Sequence, residues 1–131
     1  MNTPDELKYS QEHEWVKKLD EENTILIGIT DFAQSELGDV VYVEVETVGE
    51  KLSKDEIFGT VEAVKTTSDL YMPVSGEILE FNPVIDENED DDPAQINESP
   101  YDKGWIIKVR MTSPEEFDDL MDAESYTKLI S

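Results

Sequence analysis

The chain is 131 residues long, with 33 acidic and 10 basic residues and a formal charge of −23, enough for one domain around one modest core. So negative a surface argues against nucleic acid and anionic lipid, which need cationic patches, and it suits partners with basic docking surfaces and equally a generally acidic, salt-adapted proteome. The absence of cysteine excludes a disulfide framework, a thiol nucleophile and redox chemistry of the protein's own sulfur.

Trp15-Val16 and Thr24 to Ile29 read as two short strands, joined by the polar turn Asp20 to Asn23. Thr30 or Asp31 caps a short helix through Phe32, Ala33 and Leu37, which Gly38 stops. Asp39 to Val45 is rich in β-branched and aromatic residues and reads as strand, closed by a turn at Gly49. Lys51 to Asp55 reads as a polar connection, and Glu56 to Val64 as strand with Ile57, Val61 and Ala63 on one face. After the polar stretch Lys65 to Asp69, Leu70, Met72 and Val74 alternate on a strand that ends at Ser75-Gly76, and Glu77 to Phe81 continues as strand.

Asp86 to Asp92 is an acidic loop, and Trp105 to Val109 is a last strand. Ser113-Pro114-Glu115-Glu116 predicts a helix start, with Ser113 as cap, Pro114 in the first turn and Glu116 completing a capping box. A second short helix, capped by Asp122, places Tyr126, Leu129 and Ile130 on one face. Apolar runs are all too short to span a bilayer. Met1 to Glu6 has the character of neither a secretory signal nor an Arg-rich transit peptide. A cytoplasmic protein is therefore expected, or a mitochondrial-matrix one only where a transit peptide has been removed.

Catalytic apparatus is sparse. His13 is the single histidine, and its neighbours Glu12, Glu14 and Trp15 read as the ordinary approach to a strand. Asp86, Asn88 and Asp90 match the first positions of a calcium loop. Asp91 then stands where glycine is needed and Asn97 where the bidentate glutamate is needed. The sequence has neither a Gly-rich phosphate loop nor a nucleophile elbow.

Lys65 lies between two strands at the tip of a predicted hairpin, where pattern alone makes it a solvated turn residue. Around it stand Gly49, sixteen residues before, Gly76, eleven after, and Glu62, three before. The string Phe58 to Leu70, continuing through Pro73-Val74-Ser75-Gly76-Glu77-Ile78, resembles the lipoyl-attachment segment of the H-protein family of the glycine cleavage system. Further segments resemble the same family, in order along nearly the whole chain: Tyr9 to Val16, Gly28 to Gln34, Leu37 to Glu44, Asn97 to Tyr101, Gly104 to Lys108, and Leu120 with Ala123 to Ile130. The loop between Asn82 and Asn97 is longer and more acidic than the resemblance leads one to expect.

The resemblance implies a mainly β fold, a small barrel-sandwich hybrid like a lipoyl domain, with one short internal helix and a C-terminal helical tail. One lipoyl-carrier domain would span residues 1–131, with the lipoyl hairpin at 56–81 and the tail at 113–130. It implies lipoate in amide linkage to Lys65. Glu62, Gly49 and Gly76 would set recognition and turn shape, and Glu14 and Asp69 would contact the aminomethyl end of the loaded arm. The implied role is that of a non-catalytic shuttle and a monomer. Its partners would be glycine decarboxylase (P protein), aminomethyltransferase (T protein), dihydrolipoyl dehydrogenase (L protein) and a lipoate ligase or lipoyl transferase. Rival readings are a lipoate donor for other enzymes, a lipoyl or biotinyl carrier domain of another complex, and an acidic structural or calcium-binding protein. The Val64-Lys65-Thr66 tip matches neither the Asp-Lys-Ala of 2-oxo acid dehydrogenase domains nor the methionine-flanked lysine of biotin carriers.

Overall fold

Among residues 2–131, which the computed structural model describes, the chain forms nine strands and three short α-helices. In chain order these are β1 (Lys8–Tyr9), β2 (Glu14–Lys18), β3 (Thr24–Ile29), α1 (Asp31–Leu37), β4 (Val40–Glu44), β5 (Lys51–Leu52), β6 (Ile57–Ala63), β7 (Thr67–Tyr71), β8 (Gly76–Phe81), α2 (Gln95–Glu98), β9 (Ile107–Met111) and α3 (Ala123–Ile130), with a 3₁₀ turn at Pro114–Asp119 before α3. One sheet has the order β1-β2-β3-β9-β8-β5 and the other β4-β6-β7, and all pairings are antiparallel. The two sheets close over a shared core. Ile25, Ile27, Ile78, Ile107 and Val109 come from the larger sheet, and Val43, Phe58, Val61 and Leu70 from the smaller. This is the mainly β sandwich expected, with its C-terminal tail, but two internal helices replace the one expected, the four-residue α2 joining α1.

Strand periodicity divides β2 between two cores. Val16 enters the main one, whereas Trp15 points the other way into a second cluster with Leu7, Tyr9, Ala123 and Tyr126 beneath α3. Gly28 pairs with Trp15 across the ladder. A Cβ at Gly28 would stand 2.6 Å from the indole, so only glycine lets the ring lie flat against the sheet.

Several local expectations needed correction. Ile57 is 47% exposed, and Phe58 is buried in its place. The β6–β7 register shifts between Ile57 and Gly59, a bulge that reverses the inside-out alternation before Val61 and Ala63 resume it. Lys51-Leu52 pairs with β8 as a short strand, and β7 already begins at Thr67, so the polar stretch after Lys65 is mostly strand. Within 56–81 the hairpin itself is β6–β7, whereas β8 joins the other sheet.

At the tail, the first helical segment is a 3₁₀ turn to which Ser113 gives no side-chain cap. Glu116 spends its carboxylate elsewhere, accepting from the Ser75 N–H at 2.6 Å and facing Ser75 Oγ at 3.2 Å. Leu129 is half exposed while Tyr126 is fully buried, because only one side of the eight-residue α3 meets the sheet. Thr30, rather than Asp31, caps α1, its Oγ1 accepting the Ala33 N–H at 3.1 Å. Asp122 caps α3 through the Ser125 N–H at 2.8 Å.

Candidate functional site

The β6–β7 ladder pairs Thr60 with Asp69, Val61 with Ser68 and Glu62 with Thr67. It ends where the Ala63 N–H donates to the Thr66 carbonyl at 2.8 Å, leaving Val64 and Lys65 as the two residues of the turn. Neither has a positive φ, so the turn is not one of the left-handed pair that Asn-Gly marks in sequence. The Val64 N–H donates to the Asp39 carbonyl at 3.0 Å. Asp39 follows Gly38, whose φ of 80° stops α1, so the end of α1 braces the tip. Val64 is 71% exposed, and Lys65 and Glu62 are exposed as well. Among the described residues no ion pair or hydrogen bond holds the Lys65 amine.

Gly49 and Gly76 are not at this turn. Gly76 pairs with Leu52 and Met111 at the start of β8, where a Cβ would press within 2.4 Å of Val109 Cγ1. Gly49, at φ 92°, donates its N–H to the Ile78 carbonyl at 2.8 Å. Both lie beyond the Ile57/Tyr71 end of the hairpin, roughly 20 Å from the tip at the usual strand rise. Gly49 serves a positive-φ turn and Gly76 a close approach in the supporting sheet, both away from the Lys65 turn.

Glu14 and Asp69 do converge. Together with His13, Glu12, Ile29, Phe32, Ala33, Glu36, Leu37, Val61, Ser68 and Leu70 they line a cleft of about 300 Å³ between α1 and the hairpin. Asp69 is exposed on its rim. Glu14 is 2% exposed; its Oε1 accepts from Ser10 Oγ at 2.6 Å and its Oε2 from the Tyr71 N–H at 3.3 Å. Burial outweighs those two bonds and pushes its carboxyl up to about 8. A second cleft of about 510 Å³ reaches Glu14 from the side of Ser10, Tyr71, Lys54 and Asp119.

His13, which the sequence shows only as the approach to a strand, lines this cleft. It adopts φ 69°, packs its ring on Phe32 at 5.0 Å and places Nδ1 2.8 Å from the Tyr126 hydroxyl. Sequence reasoning missed it along with Phe32 and Tyr126. A single left-handed residue leaves no periodic trace, and Tyr126 is 113 residues away from His13.

The arrangement offers an unencumbered primary amine on a braced, exposed turn. Roughly 10 Å along β7 lies a cleft with apolar walls and acidic ends. No helix among the described residues is long and apolar enough to cross a membrane.

Residues 7–131 match the family model described as glycine cleavage H-protein. A glycine cleavage system H protein of Chlorobium phaeovibrioides is 52% identical over 130 residues, covering 99% of this chain and 98% of its own. That of Halalkalibacterium halodurans is 53% identical over 130 residues, covering 99% and 97%. The crystal structure of a glycine cleavage system H protein from Mycobacterium marinum superposes with a TM-score of 0.82 at 36% identity, covering 95% of this chain and 96% of that one. A match that runs through both sheets, the hairpin and the C-terminal helix places this chain in the glycine cleavage H-protein family.

Proposed function

We propose that this protein is the lipoyl carrier of glycine cleavage, with lipoate joined as an amide to Lys65. The observation that carries the reading is the free, exposed Lys65 amine on a braced turn within arm's reach of the cleft shared by Glu14 and Asp69. When attached, the dithiolane supplies the reactive sulfur that the cysteine-free chain lacks.

The residues present fit such a group. Lysine and lipoyl chain together reach on the order of 10 Å, which matches the span from tip to cleft. Ile29, Phe32, Leu37, Val61 and Leu70 offer an apolar wall to its hydrocarbon, while Asp69 accepts from an ammonium by a charge-assisted hydrogen bond and the buried, protonated Glu14 offers it a carbonyl oxygen. Glu62, exposed on β6 three residues from Lys65, is the charge a lipoylating enzyme would read beside the target lysine. Gly49 and Gly76 support that recognition at a distance, by fixing the sheet on which the hairpin stands.

The domain acts as one carrier unit, catalysing no step alone and docking in turn with the decarboxylase, the aminomethyltransferase and the dihydrolipoyl dehydrogenase of the system. Its charge of −23 suits basic surfaces on those enzymes, and the bacterial relatives support a cytoplasmic setting. The test is glycine-dependent CO₂ exchange with the decarboxylase. Lipoylated wild type supports exchange and K65R does not; equal exchange by K65R overturns the reading.

A further inference from the structure

One hydrogen-bonded chain links the C-terminal helix to the cleft. Tyr126, fully buried on α3 and stacked on Tyr9 at 4.7 Å, places its hydroxyl 2.7 Å from Thr30 Oγ1 and 2.8 Å from His13 Nδ1. Thr30 Oγ1 already accepts the Ala33 N–H that caps α1. Thr30 is fully buried, and among the described residues its hydroxyl proton has one acceptor, the Tyr126 oxygen. Thr30 therefore donates to Tyr126, which has its own single proton left for His13 Nδ1.

A ring nitrogen that accepts carries no proton, so His13 is neutral and protonated on Nε2. Nε2 has no partner among the described residues. No buried side-chain nitrogen or oxygen there lacks one, so Nε2 is open, and His13 lines the cleft.

We propose that the Thr30–Tyr126 chain holds His13 as a neutral imidazole so that the cleft keeps its negative charge for an amine, and that protonation of His13 expels an amine-bearing arm. The proposal rests on Lys65 carrying that arm. The charged groups sharing the cleft with His13 are Glu12 beside it, Glu36 from α1 and Asp69 from β7; the Glu14 carboxyl, pushed up to about 8 by burial, is largely uncharged at neutral pH, and α3 contributes the uncharged Tyr126. Partial burial lowers the His13 titration below its ordinary 6.5, although Glu12 and Glu36 pull the other way. At neutral pH the ring thus adds no charge. An imidazolium would offset the carboxylates and repel an ammonium group. A unit charge about 6 Å away, largely screened by the water of the open cleft, changes retention roughly three- to tenfold.

Tyr126 is a positioning residue here, acting through His13. Long-range ¹H–¹⁵N NMR of the unmodified protein reads the tautomer directly. The Nε2–H form is expected at pH 7, and an Nδ1–H form overturns the proposal alone. Y126F keeps the ring and its stacking but removes the donated proton, so the tautomers mix and the His13 midpoint rises. On amine-loaded protein, spontaneous loss of the amine accelerates roughly three- to tenfold as pH falls through the wild-type midpoint, and the step moves to higher pH in Y126F. A loss rate with no step at the NMR midpoint overturns the proposal. An unmodified Lys65, seen by mass, overturns the carrier reading and the proposal with it.

Discussion

Replacing Glu14 with glutamine tests whether the floor of the cleft is held protonated. Glutamine keeps the shape, its carbonyl oxygen still accepts from the Tyr71 N–H, and its amide donates to Ser10 Oγ where the hydroxyl now donates to Glu14. Only the titration is lost. Burial pushes the folded carboxyl up to about 8 from its ordinary 4.5, so between those pH values the folded state binds the proton and the unfolded state does not. Stability of the wild type therefore falls as pH rises, with its full value present below the unfolded midpoint and lost through the folded one. The full shift corresponds to roughly 5 kcal/mol at 1.36 kcal/mol per pH unit, and relaxation of the site brings the observable to about 2–4 kcal/mol. Urea unfolding of both proteins from pH 4 to 9, followed by Trp15 and Trp105 fluorescence, gives the difference directly. E14Q should match the wild type near pH 4, gain steadily above pH 5 and level off beyond pH 8. A difference that is flat in pH would show that Glu14 ionises normally in the fold, and would refute its protonated, desolvated state.

Ser113 makes no cap and Glu116 holds Ser75. S113A should therefore stay within about 0.5 kcal/mol of wild type, whereas E116A should cost about 1–3 kcal/mol in chemical denaturation by stranding the Ser75 N–H. G28A should cost about 1–3 kcal/mol, because its methyl overlaps the Trp15 indole, and near-ultraviolet dichroism should report the displaced tryptophan. Docking driven by a charge of −23 should weaken steeply with salt. Glycine-dependent exchange should fall as ionic strength is raised, and insensitivity to salt would count against basic docking surfaces.

Much of this fold was legible because β-branched runs and turn residues mark strands locally. Thr24 to Ile29 forms β3 as expected, Gly38 stops α1, and Asp122 caps α3. What escaped depended on contacts far apart in sequence. The bulge at Phe58 arises from β6–β7 pairing, which no alternation pattern within β6 encodes. Glu116 abandoned its capping box for Ser75, 41 residues away. Lys65 was legible as a turn residue, and the chain-long resemblance gave it meaning. Glu14 and Asp69 came from the same resemblance and do share a cleft. Gly49 and Gly76 were sound as turn and close-approach glycines but misplaced as shapers of the tip, because sequence spacing does not say at which end of a hairpin a neighbouring turn lies. A lone histidine such as His13 carries no signal of its own in the sequence. Its place in the cleft depends on a left-handed backbone and on Tyr126, neither visible locally.

The central claim is that Lys65 bears the lipoyl group, and intact-mass analysis with peptide mapping of protein from a lipoate-competent host tests it most directly. One lipoyl amide per chain, confined to the peptide containing Lys65 and absent from K65R, is the expected result. An unmodified Lys65, a biotinyl mass, or lipoylation at another lysine would contradict it.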